Sequence, residues 1–270
     1  MKPPETDSRG LSAEKLAVRY DRRLPWILDG TTLQIPEGKI TAMIGPNGSG
    51  KSTLLKTLAR QLNPEAGRVI LDGGDLRQLP VRELAHRLGI LFQEHPVPGE
   101  ILVEDLVRHG RYSHCGFLQG LSENDLEAIE LALRLTDLTD LRHRPVSGLS
   151  GGQRQLVWIA MALAQQPQYL FLDEPTTFLD LSHQFELMEL MVRLNREHGK
   201  TIVLVLHDLN LAARYADHLI VMQQGKIVAE GPPVSILTPA RLREVFEIEA
   251  QIFHSDQGWL QCLPIGKVQH

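Results

Sequence analysis

Long hydrophobic runs are missing from this 270-residue sequence. Its densest apolar stretches, residues 202–206 and 157–164, fall far short of the roughly 20 residues that carry a helix across a bilayer. Cysteine is scarce. Cys115 and Cys262 are far apart and neither sits in a C-x-x-C pair, which excludes a disulfide framework or zinc knuckle and suits a reducing cytoplasm. Positive charge is in deficit, with 28 Lys and Arg against 33 Asp and Glu and a formal net charge of −5. Nonspecific nucleic-acid binding, which rests on many Lys/Arg–phosphate contacts, is therefore not expected, and any phosphate site must be local. Residues 1–10 carry charge and no apolar core segment, so they do not form a secretory signal. With 22 Gly and 16 Pro the chain is neither collagenous nor of low complexity. What is present is 43% apolar residues, enough for a sizeable core.

The pattern along the chain alternates strand and helix signals. Residues 1–12 are polar and expected to be loose. Residues 16–20, 32–35, 39–44, 68–71 and 88–92 read as strands, and 52–62 as a helix with Leu54, Leu55, Leu58 and Leu62 on one side. The middle, about 94–148, shows no strand signal. There Ser122-Glu123-Asn124-Asp125 resembles a capping box opening a helix over 126–135. Alternation then resumes: a loop and helix over 149–165, a strand at 168–172, a helix at 182–197 and a β-branched strand at 201–206. Strands 218–222 and 226–230 flank Gln223-Gln224-Gly225, a hairpin turn, and 232–270 reads as a short tail. Met188 and Met191 with Leu187 and Leu190 read as core packing, and Arg241, Arg243 and Glu244 as a solvated helix face. His109, His114 and Cys115 suit no common zinc spacing.

Two features carry chemistry. Gly45-Pro46-Asn47-Gly48-Ser49-Gly50-Lys51-Ser52-Thr53 fits G-x-x-x-x-G-K-[ST], after an expected strand and before an expected helix. Glycines let backbone N–H groups turn inward onto phosphate oxygens, and the helix N-terminus adds partial positive charge. Lys51 is expected to reach the β- and γ-phosphates, the Ser52 hydroxyl to ligate Mg²⁺ and Thr53 to add a donor. Further on, Tyr169-Leu170-Phe171-Leu172-Asp173-Glu174 is a hydrophobic strand delivering two carboxylates. Asp173 is expected to hold Mg²⁺, and Glu174 to orient and deprotonate an attacking water.

With Leu149-Ser150-Gly151-Gly152-Gln153 added, the chain resembles the nucleotide-binding subunits of ABC transporters over about 15–265. That pentapeptide is similar to the family signature, and Pro175-Thr176-Thr177-Phe178-Leu179-Asp180 to its D-loop. Gln93 matches the Q-loop glutamine, His207 the switch histidine and Tyr20 the adenine-stacking aromatic, with Trp26 as the rival ring. The resemblance implies an α/β fold: a RecA-like P-loop NTPase core with an N-terminal antiparallel β subdomain and an inserted α-helical subdomain. The expected single ATPase domain spans 13–265, with its core at about 13–93 and 155–231, the helical subdomain at 94–154 and the tail at 232–270. It further implies an ATPase with ATP and Mg²⁺ as ligands, Gln93 touching the metal or the water, and His207 on the γ-phosphate. Ser150, Gly151, Gly152 and Gln153 would bind nucleotide held by the other subunit of a head-to-tail homodimer, with Asp180 at its interface.

Phe178 stands where many members carry Ala, and Leu156 where many carry Arg. Neither replaces a phosphate, Mg²⁺ or water contact. The stretches 180–184, 109–112 and 207–215 resemble importers of ferric siderophores, haem and cobalamin. That likeness implies two membrane permease subunits, an extracytoplasmic binding protein, and a place on the cytoplasmic face of the inner membrane. Other ABC substrates, an exporter subunit, and a soluble ABC ATPase remain the alternatives. About a hundred residues separate the phosphate loop from the signature, which disfavours coiled-coil repair ATPases.

Overall fold

The computed structural model describes residues 10–92, 99–114, 120–177 and 179–268. The chain begins with strands β1 (Leu11–Val18), β2 (Leu28–Ile35) and β3 (Ile40–Ile44), helix α1 (Lys51–Leu58), and strands β4 (Ala66–Leu71) and β5 (Gly74–Asp75). There follow α2 (Val81–Arg87), β6 (Leu88–Leu91), α3 (Val103–Arg108), α4 (Glu123–Leu135) and α5 (Gly151–Ala164). Next come β7 (Tyr169–Asp173), α6 (Leu181–Arg196) and β8 (Thr201–Val205). The last part holds α7 (Leu209–Tyr215), β9 (His218–Gln223), β10 (Lys226–Gly231), α8 (Pro233–Ile236), α9 (Pro239–Phe246), β11 (Ile248–His254) and β12 (Leu260–Lys267). Two compact units result, one from the residues up to Leu79 with those from Leu204 onward, the other from Pro80 to Val203. The chain passes back to the first unit within β8.

In the first unit β2, β1, β4 and β5 form an antiparallel sheet in that order. β1 starts at Leu11, which is fully buried, earlier than the sequence pattern suggests. The reason is a bulge. Its buried residues Leu11 and Ala13 keep period two, then the register shifts before Leu16, with Lys15 at φ 47°. β3 is buried at all five positions and runs parallel to β9, which pairs antiparallel with β10 through the expected hairpin. A strand covered on both faces needs the near-continuous apolar run that Ile40–Ile44 supplies.

The segment after Gly231 is more than a tail: it folds into α8, α9 and the antiparallel β11–β12 hairpin. Asn210 of α7 ties this hairpin down. Its amide donates to the Cys262 carbonyl at 3.2 Å, and its Oδ1 accepts from the Cys262 N–H at 2.7 Å. The Arg214 guanidinium stacks 3.7 Å from the Trp259 ring centroid, adding a cation–π contact.

In the second unit β6 and β7 pair in parallel, Leu88 opposite Tyr169 and Leu91 opposite Leu172, and all of β7 is buried. Helices α3, α4 and α5 pack on one another. Among the described residues of 99–148 there is no strand longer than an isolated bridge between Leu102 and Pro145. α4 opens with the expected capping box, Ser122 accepting from the Asp125 N–H and the Asp125 carboxylate from the Ser122 N–H. Asp125 also accepts from Arg111 at 2.7 Å in an almost fully buried ion pair, while Arg111 Nη1 donates to the Ala164 carbonyl at 2.6 Å. The Ser122 hydroxyl first, then the Ser122 N–H and the Arg111 guanidinium, pull the Asp125 carboxyl down to about 2. Leu187, Met188, Leu190 and Met191 of α6 are buried as expected of core residues. Among the described residues no helix is long and apolar enough to cross a membrane.

Candidate functional site

The phosphate loop lies in the first unit between β3 and α1, the context its motif requires. Gly45, Gly48 and Gly50 take φ of 150°, 74° and 98°. At Gly45 the constraint is double, because a Cβ there would also lie 2.1 Å from the Met222 carbonyl oxygen in β9. The β9–β10 turn braces the loop from the same side, the Gly225 N–H donating to the Ser49 carbonyl at 3.0 Å. Lys51 is 5% exposed and curls back, its Nζ donating to the carbonyls of Gly45 at 2.9 Å and Pro46 at 3.0 Å. The Ser49 hydroxyl is buried within the loop and meets no hydrogen-bond partner among the described residues. A buried cation and an orphaned hydroxyl in a glycine-rich turn are groups that can take an anion. Ser52 and Thr53 sit on the first turn of α1.

Tyr20 and Trp26, the two rings expected to stack on a base, differ in their surroundings. Tyr20 is 59% exposed, and its hydroxyl lies 3.3 Å from the Thr53 hydroxyl. Trp26 instead has one face covered by the Arg19 guanidinium, 4.2 Å from its centroid. Tyr20 thus meets the end of the loop through its hydroxyl and stays mostly exposed. His207 follows β8 as an exposed residue of the same unit, just ahead of Asp208, which caps α7 by accepting from the Asn210 and Leu211 N–H groups.

The second unit holds the acidic and signature segments. β7 ends on Asp173, which is 3% exposed. The backbone turns left-handed at Glu174, φ 52°, a conformation that costs a non-glycine residue about 1 kcal/mol or more. The Thr177 hydroxyl donates to Glu174 Oε2 at 3.3 Å and steadies that carboxylate. The signature forms the first turn of α5. Ser150 is its N-cap, accepting from the Gln153 N–H at 3.2 Å while Gln153 Oε1 accepts from the Ser150 N–H at 3.1 Å. Asp180 caps α6 and accepts from the His183 N–H at 3.0 Å, from His183 Nδ1 at 2.7 Å and from the Ser182 hydroxyl at 3.0 Å. These bonds, the backbone one foremost, hold its carboxyl down to about 2.

The ABC transporter family model matches residues 28–177, more than half of the sequence. The chain belongs to the ABC transporter family. Among its relatives, the achromobactin transport ATP-binding protein of Dickeya dadantii is 48% identical over 246 residues, covering 89% of this chain and 90% of that protein. The ferric enterobactin transport ATP-binding protein of Escherichia coli is 44% identical, covering 95% and 94%. A metal-chelate type ABC transporter solved in an inward-facing conformation is similar over 96% of this chain and 98% of that one, with TM-score 0.82 and 28% identity. An ATP-binding cassette solved as a dimer with ADP and Pi is similar over 83% and 98%, with TM-score 0.71. As an ABC cassette the chain binds ATP and is an ATPase of the class coupled to transport.

Sequence and structure place the cassette's parts as follows. Gly45 to Thr53, Tyr20 and His207 fall in the first unit, and Asp173, Glu174, Ser150 to Gln153 and Asp180 in the second. Gln93, Phe178 and Cys115 lie outside the described residues. His114 bonds the Gln165 carbonyl at 3.0 Å and His109 stacks on Tyr112, so both have packing contacts of their own. Gln184 was not singled out from sequence. Its amide donates to the carbonyls of Thr176 and Leu179 at 3.3 and 3.0 Å and thereby pins the D-loop. The available signal was its place four residues after the Asp180 cap.

Proposed function

We propose that the chain is the ATP-hydrolysing subunit of an importer of an iron chelate, a ferric siderophore, acting as a head-to-tail homodimer beneath two membrane permeases. A binding protein outside the membrane would deliver the chelate, and the ATPase would sit on the cytoplasmic face through its permeases. The observation that carries this reading is the enclosed Lys51 and the orphaned Ser49 hydroxyl, in a chain whose relatives are named for transport of achromobactin, iron(3+)-hydroxamate, ferric enterobactin and a siderophore.

In this reading the backbone N–H groups of residues 45–53 take the phosphates, and Lys51 exchanges its two carbonyl partners for β- and γ-phosphate oxygens. Tyr20 stacks on adenine. The Ser52 hydroxyl, the Asp173 carboxylate and Gln93 would hold Mg²⁺, a donor set of oxygens that suits this hard ion when phosphates complete its shell. Bound there, Mg²⁺ would neutralise charge on the β- and γ-oxygens. Glu174 accepts the proton of the attacking water as its oxygen bonds to the γ-phosphorus and the β–γ bridging bond breaks. His207 contacts the γ-phosphate, and Ser150, Gly151, Gly152 and Gln153 contact the nucleotide of the opposite subunit. Asp180 lies at that interface.

The test is uptake of radiolabelled ferric siderophores in a strain lacking this chain, with and without a plasmid copy. Uptake restored by the parent but not by Glu174→Gln, and a permease copurifying with the parent, support the reading. Unchanged chelate uptake in the deletion strain would overturn the substrate assignment.

A further inference from the structure

The contacts of His183 serve no step of the proposed hydrolysis, yet they join two of its segments. Asp180 can only accept hydrogen bonds as a carboxylate, so the 2.7 Å contact places the imidazole proton on Nδ1. The opposite edge of the same ring covers the signature. A Cβ on Gly152 would lie 2.5 Å from His183 Cδ2, 2.8 Å from Cγ and 3.1 Å from Nε2, and Gly152 is buried beneath it. The ring thus spans the gap between the cap of α6 and the first turn of α5, all within the second unit. Gln184 extends the arrangement by holding the carbonyls of the preceding loop.

We infer that His183 is a positioning residue that fastens the signature turn to the D-loop through Asp180, so that the two segments present one rigid surface to the opposite subunit. The inference rests on the proposed in-trans site. It also gives Gly152 a second reason to lack a side chain: the ring packs directly on its backbone, apart from any phosphate approach.

The experiment uses five full-length chains: parent, His183→Ala, His183→Asn, Gly152→Ala and the His183→Ala/Gly152→Ala double variant. It reads MgATP turnover, affinity for a fluorescent ADP analogue, and melting temperature. ADP reports the phosphate loop of one subunit alone. The expected result for His183→Ala is turnover lowered about tenfold with ADP affinity kept within about twofold, because positioning of the in-trans partner is lost while the loop is intact. His183→Asn, which keeps a donor near Nδ1, should recover part of that turnover. Gly152→Ala should melt below the parent, and adding His183→Ala should remove that deficit because the clashing ring is gone. Parental turnover in His183→Ala, or a Gly152→Ala penalty of equal size in both backgrounds, overturns the inference. Failure of the in-trans reading shows separately, as turnover per chain in the parent that does not rise with protein concentration, and the melting comparison decides the ring–glycine contact in that case too.

Discussion

Replacing Gly45 with Ala strikes the phosphate loop through its backing rather than through its ligands. The added Cβ falls 2.1 Å from the Met222 carbonyl oxygen, and such contacts essentially never fall below 3.0 Å. Met222 cannot give way, because β9 is hydrogen-bonded on both sides, to β3 and to β10. The loop must therefore retreat by about 1 Å while alanine is held at an unfavourable φ, costs of about 1–3 kcal/mol each. Together they amount to roughly 3 kcal/mol, a fall of about 10 °C in melting temperature for a chain of this size. A shift of about 1 Å in the donor array should also weaken ATP binding on the order of a hundredfold. Differential scanning calorimetry and titration with ATP measure both quantities. A Gly45→Ala chain that melts and binds ATP like the parent would refute the argument that β9 fixes the loop.

Glu174→Gln should bind MgATP with near-parental affinity but hydrolyse it about 10²–10⁴-fold more slowly, since the amide cannot take the water's proton; single-turnover phosphate release checks this. Arg111→Met should destabilise the second unit by about 3–5 kcal/mol in urea titrations, because it leaves the Asp125 carboxylate buried without its cation. The depressed Asp125 carboxyl makes stability pH-dependent in a set direction. Its contribution of at most about 2 kcal/mol is present above its ordinary value near 3.8 and lost as pH falls toward about 2. Acid titrations of parent and Asp125→Asn should differ in slope within that window and run parallel outside it.

What the sequence made legible was local. The phosphate loop announces itself because nine consecutive residues build it, and the Ser122 cap because its partner lies three residues away. β7 could be read from its apolar run ending on Asp173 and Glu174. Features that depend on chain segments meeting across long separations left no such mark. The backing of Gly45 by Met222 joins residues far apart in the chain, as does the Asn210 grip on Cys262 that turns the expected tail into a docked hairpin. The bulge at Lys15 hid the start of β1 by breaking the alternation on which strand recognition rests. His183 was visible only as part of a family-like stretch, and its role emerges from the ring lying on Gly152.

In the proposed site Lys51, enclosed by the loop, supplies the cation on which ATP hydrolysis depends. Phosphate release from MgATP by the purified parent and Lys51→Ala chains, assayed side by side, is the deciding measurement. Steady release is expected from the parent and a loss of about a hundredfold or more in the variant. Equal rates in the two chains would contradict it.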